Sequence, residues 1–159
     1  MASDSAPTST GSPTKSPLRV VDARHARGIL DTSVVIDVEH VSLNDLPQET
    51  AIAAVTLAEL AAGPHATDDP IERGRRQERL QRAEATFDPI PFDAQAARAY
   101  GRVYAEVSAG GRKARGRRAV DLLIAATALA TELPLYTRNP ADFAGLEALV
   151  EVAPVSVER

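Results

Sequence analysis

The segment Ala119-Val120-Asp121-Leu122-Leu123-Ile124-Ala125-Ala126-Thr127-Ala128 carries one charge in ten residues. Wound as a helix it is apolar nearly all round, so it has to be buried with the rest of the chain layered about it. The other apolar runs are too short for helices. Ile29-Leu30, Ala51 to Val55, Leu133 to Thr137 and Leu149 to Val152 read as buried strands, and Phe87 to Pro91 as a further brief strand interrupted by prolines. Helical patterns fall between them: Val34 to Ile36, Thr56 to Gly63-Pro64, a charged stretch from Asp69 to Ala85, a run capped by Asp93 and ended by Gly110-Gly111, the buried run from Ala119 to Thr131, and a short turn from Asn139 to Ala144. Short strands alternating with helices predict an α/β domain with a parallel sheet, whose ligands bind outside the carboxyl ends of the strands.

Composition narrows the chemistry. The 159 residues, 44% hydrophobic and 25% charged, suit one globular domain. The chain has no cysteine, which excludes disulfides, thiolate zinc sites, iron–sulfur clusters and cysteine nucleophiles. No apolar run approaches the ~20 residues of a membrane span, and no secretory signal opens the chain, so a cytoplasmic protein without membrane contact is expected. Residues 1–18 hold eight Ser/Thr and three prolines with almost nothing large and apolar, which predicts a poorly ordered tail over residues 1–27 and a folded domain over 28–159. The formal charge of −4 divides into +2 over residues 1–27 and −6 over the remainder, so a general basic footprint for nucleic acid is absent. Aromatic residues make up only 4%, which argues against a stacking platform for bases. Yet five basic residues cluster at Arg112, Lys113, Arg115, Arg117 and Arg118, either as a solvated loop or as a phosphate-holding edge.

Four carboxylates follow expected strands or open expected helices: Asp31, Glu59, Asp121 and Asp142. Each has a structural explanation. Asp31 can cap the first helix, Thr56 and Glu59 are spaced as a capping box, Asp121 falls in a first helical turn, and Asn139-Pro140-Ala141-Asp142 reads as a cap followed by proline. The combination carries more. In a parallel sheet Asp31, Glu59 and the Asn139–Asp142 segment share one edge, to which the loop over 111–118 is long enough to deliver Asp121, and a carboxylate on a buried helix is costly unless it is paired or binds a cation. Clustered carboxylates raise one another's pKa, and a hard divalent cation relieves the repulsion. Oxygen donors without cysteine or a spaced histidine pair point to Mg²⁺ or Mn²⁺, which could activate water for attack on a phosphodiester. His25, His40 and His65 lie in tail or turn contexts and look unrelated to this edge.

The same residues resemble a known family. Ile29-Leu30-Asp31-Thr32-Ser33-Val34-Val35-Ile36, Val55-Thr56-Leu57-Ala58-Glu59-Leu60, Asp121 to Ala128, and Leu135-Tyr136-Thr137-Arg138-Asn139 running on to Asp142-Phe143 resemble, in order, four motifs of PIN domains. The resemblance covers about residues 28–153, and its style is similar to VapC toxins of bacterial VapBC toxin–antitoxin modules. It implies a three-layer α/β/α sandwich with a central, mostly parallel sheet of about five strands. It also implies a Mg²⁺- or Mn²⁺-dependent endoribonuclease, with Asp31 and Asp121 as metal-coordinating aspartates and Glu59 completing the site directly or through water. Asn139 or Asp142 fills the fourth position, and Thr32, Ser33 and Thr137 are hydroxyl contacts to water or phosphate.

The partners so implied are an RNA substrate, a cognate antitoxin that covers the acidic cleft, and a second copy of the chain, giving a homodimer and a toxin–antitoxin hetero-oligomer. Helical segments 56–63 and 69–85 would form the groove for an antitoxin helix, with Leu60 and Leu80 as apolar contacts. A different class of function, a PIN-like module that binds protein or RNA without cleaving it, is given standing by Asn139 and opposed by the three acids Asp31, Glu59 and Asp121. A phosphotransfer receiver would need a pocket lysine, and the two lysines are Lys15 in the tail and Lys113 in the basic run.

Overall fold

A computed structural model of the chain describes residues 25–158 and the isolated Ser5. Of the tail expected over residues 1–27, residues 1–24, Ser5 apart, lie outside the described residues, and residues 25–27 are described. Strands β1 (Arg27–Leu30), β2 (Glu49–Ile52), β3 (Leu135–Thr137) and β4 (Val152–Pro154) form one parallel sheet in the order β2-β1-β3-β4. Helices α1 (Thr32–Ile36), α2 (Ala54–Ala62), α3 (Pro70–Thr86), α4 (Ala94–Ala109) and α5 (Arg117–Thr131) connect them, with a 3-10 turn at Pro140–Phe143 after β3. None of these helices is long and apolar enough to cross a membrane.

Successive strand residues point to opposite faces, so a sheet covered on both sides needs apolar side chains at every position. The sequence supplies them in pairs. Ile29, Ala51 and Leu135 face a core completed by α4 and α5, through Val103, Val107, Leu122 and Ala125 among others. Leu30, Ile52 and Tyr136 face the opposite core, built with Val34 and Val35 of α1, Leu60 of α2 and Ala83 of α3. The result is the expected three-layer α/β/α sandwich. Helix α5 is buried along Ile124 to Ala128, as its apolar surface requires.

The sheet has four strands rather than five. Ile90 makes only an isolated parallel bridge to Ala53, receiving Ala54 N–H at 2.8 Å and donating to Ile52 O at 2.9 Å. Pro89 and Pro91 flank it without N–H groups, so the ladder cannot lengthen. Two boundaries also move. β2 ends at Ile52; of the residues expected to extend it, Ala53 makes the bridge to Ile90 and Ala54 and Val55 are taken by α2. β4 starts at Val152, because Leu149 and Val150 turn back to donate to Leu146 O at 2.9 Å.

β1 begins at Arg27, and His25 ahead of it is held by the domain: Nδ1 lies 2.7 Å from the Tyr136 hydroxyl and Nε2 lies 2.9 Å from Glu151 Oε1. The Tyr136 ring passes over Gly28, where an added Cβ would sit 2.5 Å from Cε2. Because that ring is buried and tethered at its hydroxyl, it has no room to give way. Gly28→Ala should therefore destabilise the domain by about 1–3 kcal/mol. Urea unfolding checks this, and unchanged stability would show that the ring relaxes freely.

Candidate active site

With every strand parallel, the carboxyl ends share one edge. The chain leaves β1 for β2 on one side and returns to β3 on the other, so the crevice between β1 and β3 is the topological switch point where such folds bind ligands. Asp31 and the segment Thr137-Arg138-Asn139 stand on its two sides. Backbone pairing runs up to the site itself, since Asp31 N–H donates to Tyr136 O at 2.9 Å.

Asp31 is 5% exposed and caps α1: its Oδ1 accepts the Val34 amide at 3.1 Å and the Ser33 hydroxyl at 2.5 Å. Burial pushes its carboxyl up from the ordinary aspartate range, against hydrogen bonds from the Ser33 and Thr137 hydroxyls and the Val34 and Ser33 amides. Ser33 Oγ also accepts the Arg138 amide at 3.1 Å, and Thr137 Oγ1 accepts the Asn139 amide at 3.0 Å, so hydroxyls lock the two strand ends together.

Glu59 does not belong to a capping box. α2 starts at Ala54, two residues ahead of Thr56, with Ala53 before it and no side-chain cap, and Thr56 is fully buried. Glu59 Oε1 instead accepts the Thr32 hydroxyl at 2.6 Å, which also lies 3.3 Å from the Thr56 hydroxyl. Nor does Asp121 serve the helix dipole. α5 begins at Arg117, which carries Arg117 and Arg118 into the helix and leaves Asp121 beyond its first turn. Asn139 precedes the 3-10 turn without a side-chain cap, and both Asn139 and Asp142 are exposed. Of the four structural explanations, the cap at Asp31 holds, and at Asn139-Pro140-Ala141-Asp142 the cap position, the proline at the start and the acid in the first turn hold without a side-chain bond from Asn139.

Electrostatics tie the four acids together. The Asp121 carboxyl is raised to about 6, first by burial, then by the charges of Asp142, Glu59 and Asp31, with Arg117 opposing. A cleft of about 680 Å³ opens beside it, lined by Arg117, Arg118, Arg138, Asn139, Asp142 and their neighbours. A second cleft of about 570 Å³, lined by Thr32, Ile36, Glu59, Leu60, Glu72, Arg76 and Arg79 among others, meets the first at Arg117. Leu80 lies outside it and packs into the α1–α3 core. Among the described residues no three Asp, Glu or His side chains stand together as a ready-made metal cage. The charges of Asp142, Glu59 and Asp31 are nevertheless near enough to Asp121 to raise its carboxyl. Sequence reasoning missed the Arg138–Asp37 ion pair and the placement of Arg117 between the clefts, which depend on tertiary packing rather than on local pattern.

The PIN domain model matches residues 28–147. Ribonuclease VapC5 of Mycobacterium tuberculosis is 36% identical over 135 residues, covering 83% of this chain and 96% of that protein. Ribonuclease VapC8 of the same organism is 37% identical over 102 residues, covering 64% of this chain and 89% of that protein. The crystal structure of VapBC-5 from M. tuberculosis, a member of the VapBC family of toxin–antitoxin systems, superposes with a TM-score of 0.71 at 36% identity, covering 83% of this chain and 99% of the matched one. The chain belongs to the PIN domain family and is of its VapC type.

The raised pKa of Asp121 has a stability consequence with a definite sign. The folded state binds this proton more tightly than the unfolded chain, so stability is full below about pH 3.8 and is lost as pH rises through about 6. Asp121→Asn removes that loss. In chelator-treated protein the variant should be more stable than wild type by roughly 1–2 kcal/mol at pH 7.5, allowing for solvent screening of a half-open site. The difference should close toward pH 4. Denaturant unfolding across that pH range checks it, and a gap that stays constant with pH would contradict the assigned cause.

Proposed function

We propose that this chain is a Mg²⁺- or Mn²⁺-dependent endoribonuclease that acts as the toxin of a toxin–antitoxin module. The observation that carries the proposal is the electrostatic convergence of Asp31, Glu59, Asp121 and Asp142 on one arginine-edged cleft at the switch point. The identity to ribonucleases VapC5 and VapC8 supports the activity, and the likeness to VapBC-5 supports an antitoxin partner.

The donor set fits a hard cation. All its acids supply oxygen, and their mutual repulsion is the kind a divalent charge relieves. Mg²⁺ keeps several waters and takes only one or two carboxylates, so it does not require a group of three acids, and none is formed among the described residues. Asp31 and Asp121 would hold it, with Glu59 directly or through water, and Asn139 or Asp142 at the fourth position. Bound there, the cation would supply an activated water and neutralise charge developing on the phosphodiester. Ser33 and Thr32 keep Asp31 and Glu59 in place, while Arg117 and Arg118 present N–H groups to RNA phosphates at the cleft wall, where Arg138 is already paired with Asp37.

The second cleft is the natural seat for an antitoxin segment. Its apolar floor at Ile36 and Leu60 suits an amphipathic helix, and its acidic side at Glu59 and Glu72 suits a basic residue on that segment. We extend the proposal to a homodimer and a toxin–antitoxin hetero-oligomer in the cytoplasm. A second reading, a PIN-like binding module without cleavage, draws on the neutral Asn139 and the open spacing of the acids.

Purified antitoxin-free protein should cut cellular RNA into discrete fragments with Mg²⁺ or Mn²⁺ and not with EDTA. Asp31→Asn and Asp121→Asn should each lower the rate by at least about 100-fold. Cleavage that survives in EDTA or in both variants would refute the proposal, and RNA binding without cleavage in every metal would establish the second reading.

A further inference from the structure

The connection from α4 to α5 is the most basic part of the folded chain, with Arg112, Lys113 and Arg115 in a stretch from 107 to 120 that contains no acid. Among the described residues none of these three forms an ion pair. Arg112 is occupied with the fold, since its Nη1 donates to Ala144 O at 2.7 Å and holds the loop against the segment after β3. Lys113 and Arg115 are exposed, on a body that is otherwise net acidic. Gly111 and Gly116 bracket the loop at φ 74° and 59°, conformations that favour glycine and fix its shape.

The loop does not project alone. With α4 it encloses a concavity of about 330 Å³, lined by Tyr104, Ser108, Arg112, Lys113 and Arg115 among others. Tyr104 is 50% exposed there, and its ring is backed by Tyr100 at a centroid distance of 6.2 Å. An unpaired cationic pair beside a supported, half-open aromatic ring is the combination that holds a single-stranded nucleic acid: the charges take phosphates and the ring takes a base. Every nucleotide couples a phosphate to a stackable base, whereas the carboxylates of an acidic peptide engage only the charges. The loop then runs into Arg117 and Arg118 at the wall of the carboxylate cleft. Arg112 and Arg117 are separated by at most about 18 Å of chain, within reach of one short RNA strand.

We propose that this concavity is a second RNA subsite, gripping substrate outside the scissile phosphodiester, with Lys113 and Arg115 on phosphates and Tyr104 stacked on a base. RNA as its ligand rests on the ribonuclease proposal above.

Binding can be separated from cleavage by using the full chain carrying Asp121→Asn, in EDTA, with a fluorescent randomised 12-nucleotide single-stranded RNA read by anisotropy. Adding Lys113→Ala with Arg115→Ala should weaken binding about tenfold and reduce the slope of log affinity against log salt by about 1.4, the value for two phosphates on a single strand. Tyr104→Ala should weaken binding at least about fivefold with the slope unchanged, and Tyr104→Phe should retain it. All these side chains are exposed, and a thermal melt confirms folding. Affinity and slope unmoved by the double variant would overturn the subsite. Loss with the double variant but not with Tyr104→Ala would mark a patch for any polyanion, acidic peptides included, and would overturn the assignment to RNA. The two proposals fail separately: metal-dependent cleavage by wild type with unaltered binding in the variants removes only the subsite. Altered binding with no cleavage in any metal removes only the ribonuclease.

Discussion

A carboxylate withdrawn from water must find hydrogen-bond donors or a cation, and the whole carboxyl edge of this sheet is organised around Asp31 meeting that demand. Its Oδ1 takes the Val34 amide and the Ser33 hydroxyl, which starts α1 and fixes the end of the central strand. Ser33 in turn receives the Arg138 amide, which sets the end of β3 against it. One acid therefore caps a helix, joins two strand ends and stands at the switch point. Cap and active-site acid are usually weighed as alternatives; here the cap geometry leaves room for the proposed second role, because an N-cap oxygen sits at the mouth of the crevice that follows the strand.

The remaining acids reach that mouth by separate routes, each at an energetic cost. Glu59 comes from the second turn of α2 and is steadied by Thr32. Asp121 comes from α5, where apolar packing on the other side of the helix leaves it half-buried among three like charges. A fold selected only for stability would place a neutral residue there, since the charged form of Asp121 opposes folding at neutral pH. Local destabilisation of this kind, offset by the buried core of α5, is what the proposed cation would relieve. The arginines are set at the rim rather than among the acids. Arg117 partly offsets the repulsion on Asp121 and stands between the two clefts, in a position to face a phosphate on one side and the proposed partner groove on the other.

Most of this architecture was legible in the sequence because it follows from local pattern. Paired apolar residues such as Ile29-Leu30 and Leu135-Tyr136 can satisfy two opposite cores only in a sheet covered on both faces. The all-round apolar surface of α5 demanded burial, and Asp69 and Asp93 marked their helix starts. What was not legible depended on contacts distant in sequence. The fifth strand shrank to one bridge at Ile90, where the prolines were visible but their effect on pairing needed a partner strand. Glu59 looked like half of a capping box until the start of α2 at Ala54 released it toward Thr32. His25, read as part of a tail, is bound by Tyr136 and Glu151, residues more than 100 positions away. The low aromatic content argued against base stacking, yet composition could not say that an exposed tyrosine would stand beside the basic loop.

The central claim is that the acids form one electrostatic unit whose repulsion a divalent cation relieves. Carbon-13 NMR titration of the Asp121 carboxyl, with and without Mg²⁺, tests it most directly. The account predicts a midpoint of about 6 in metal-free protein, falling with Mg²⁺ into or below the ordinary aspartate range. A metal-free midpoint near 3.8, or one near 6 that Mg²⁺ leaves unmoved, would contradict it.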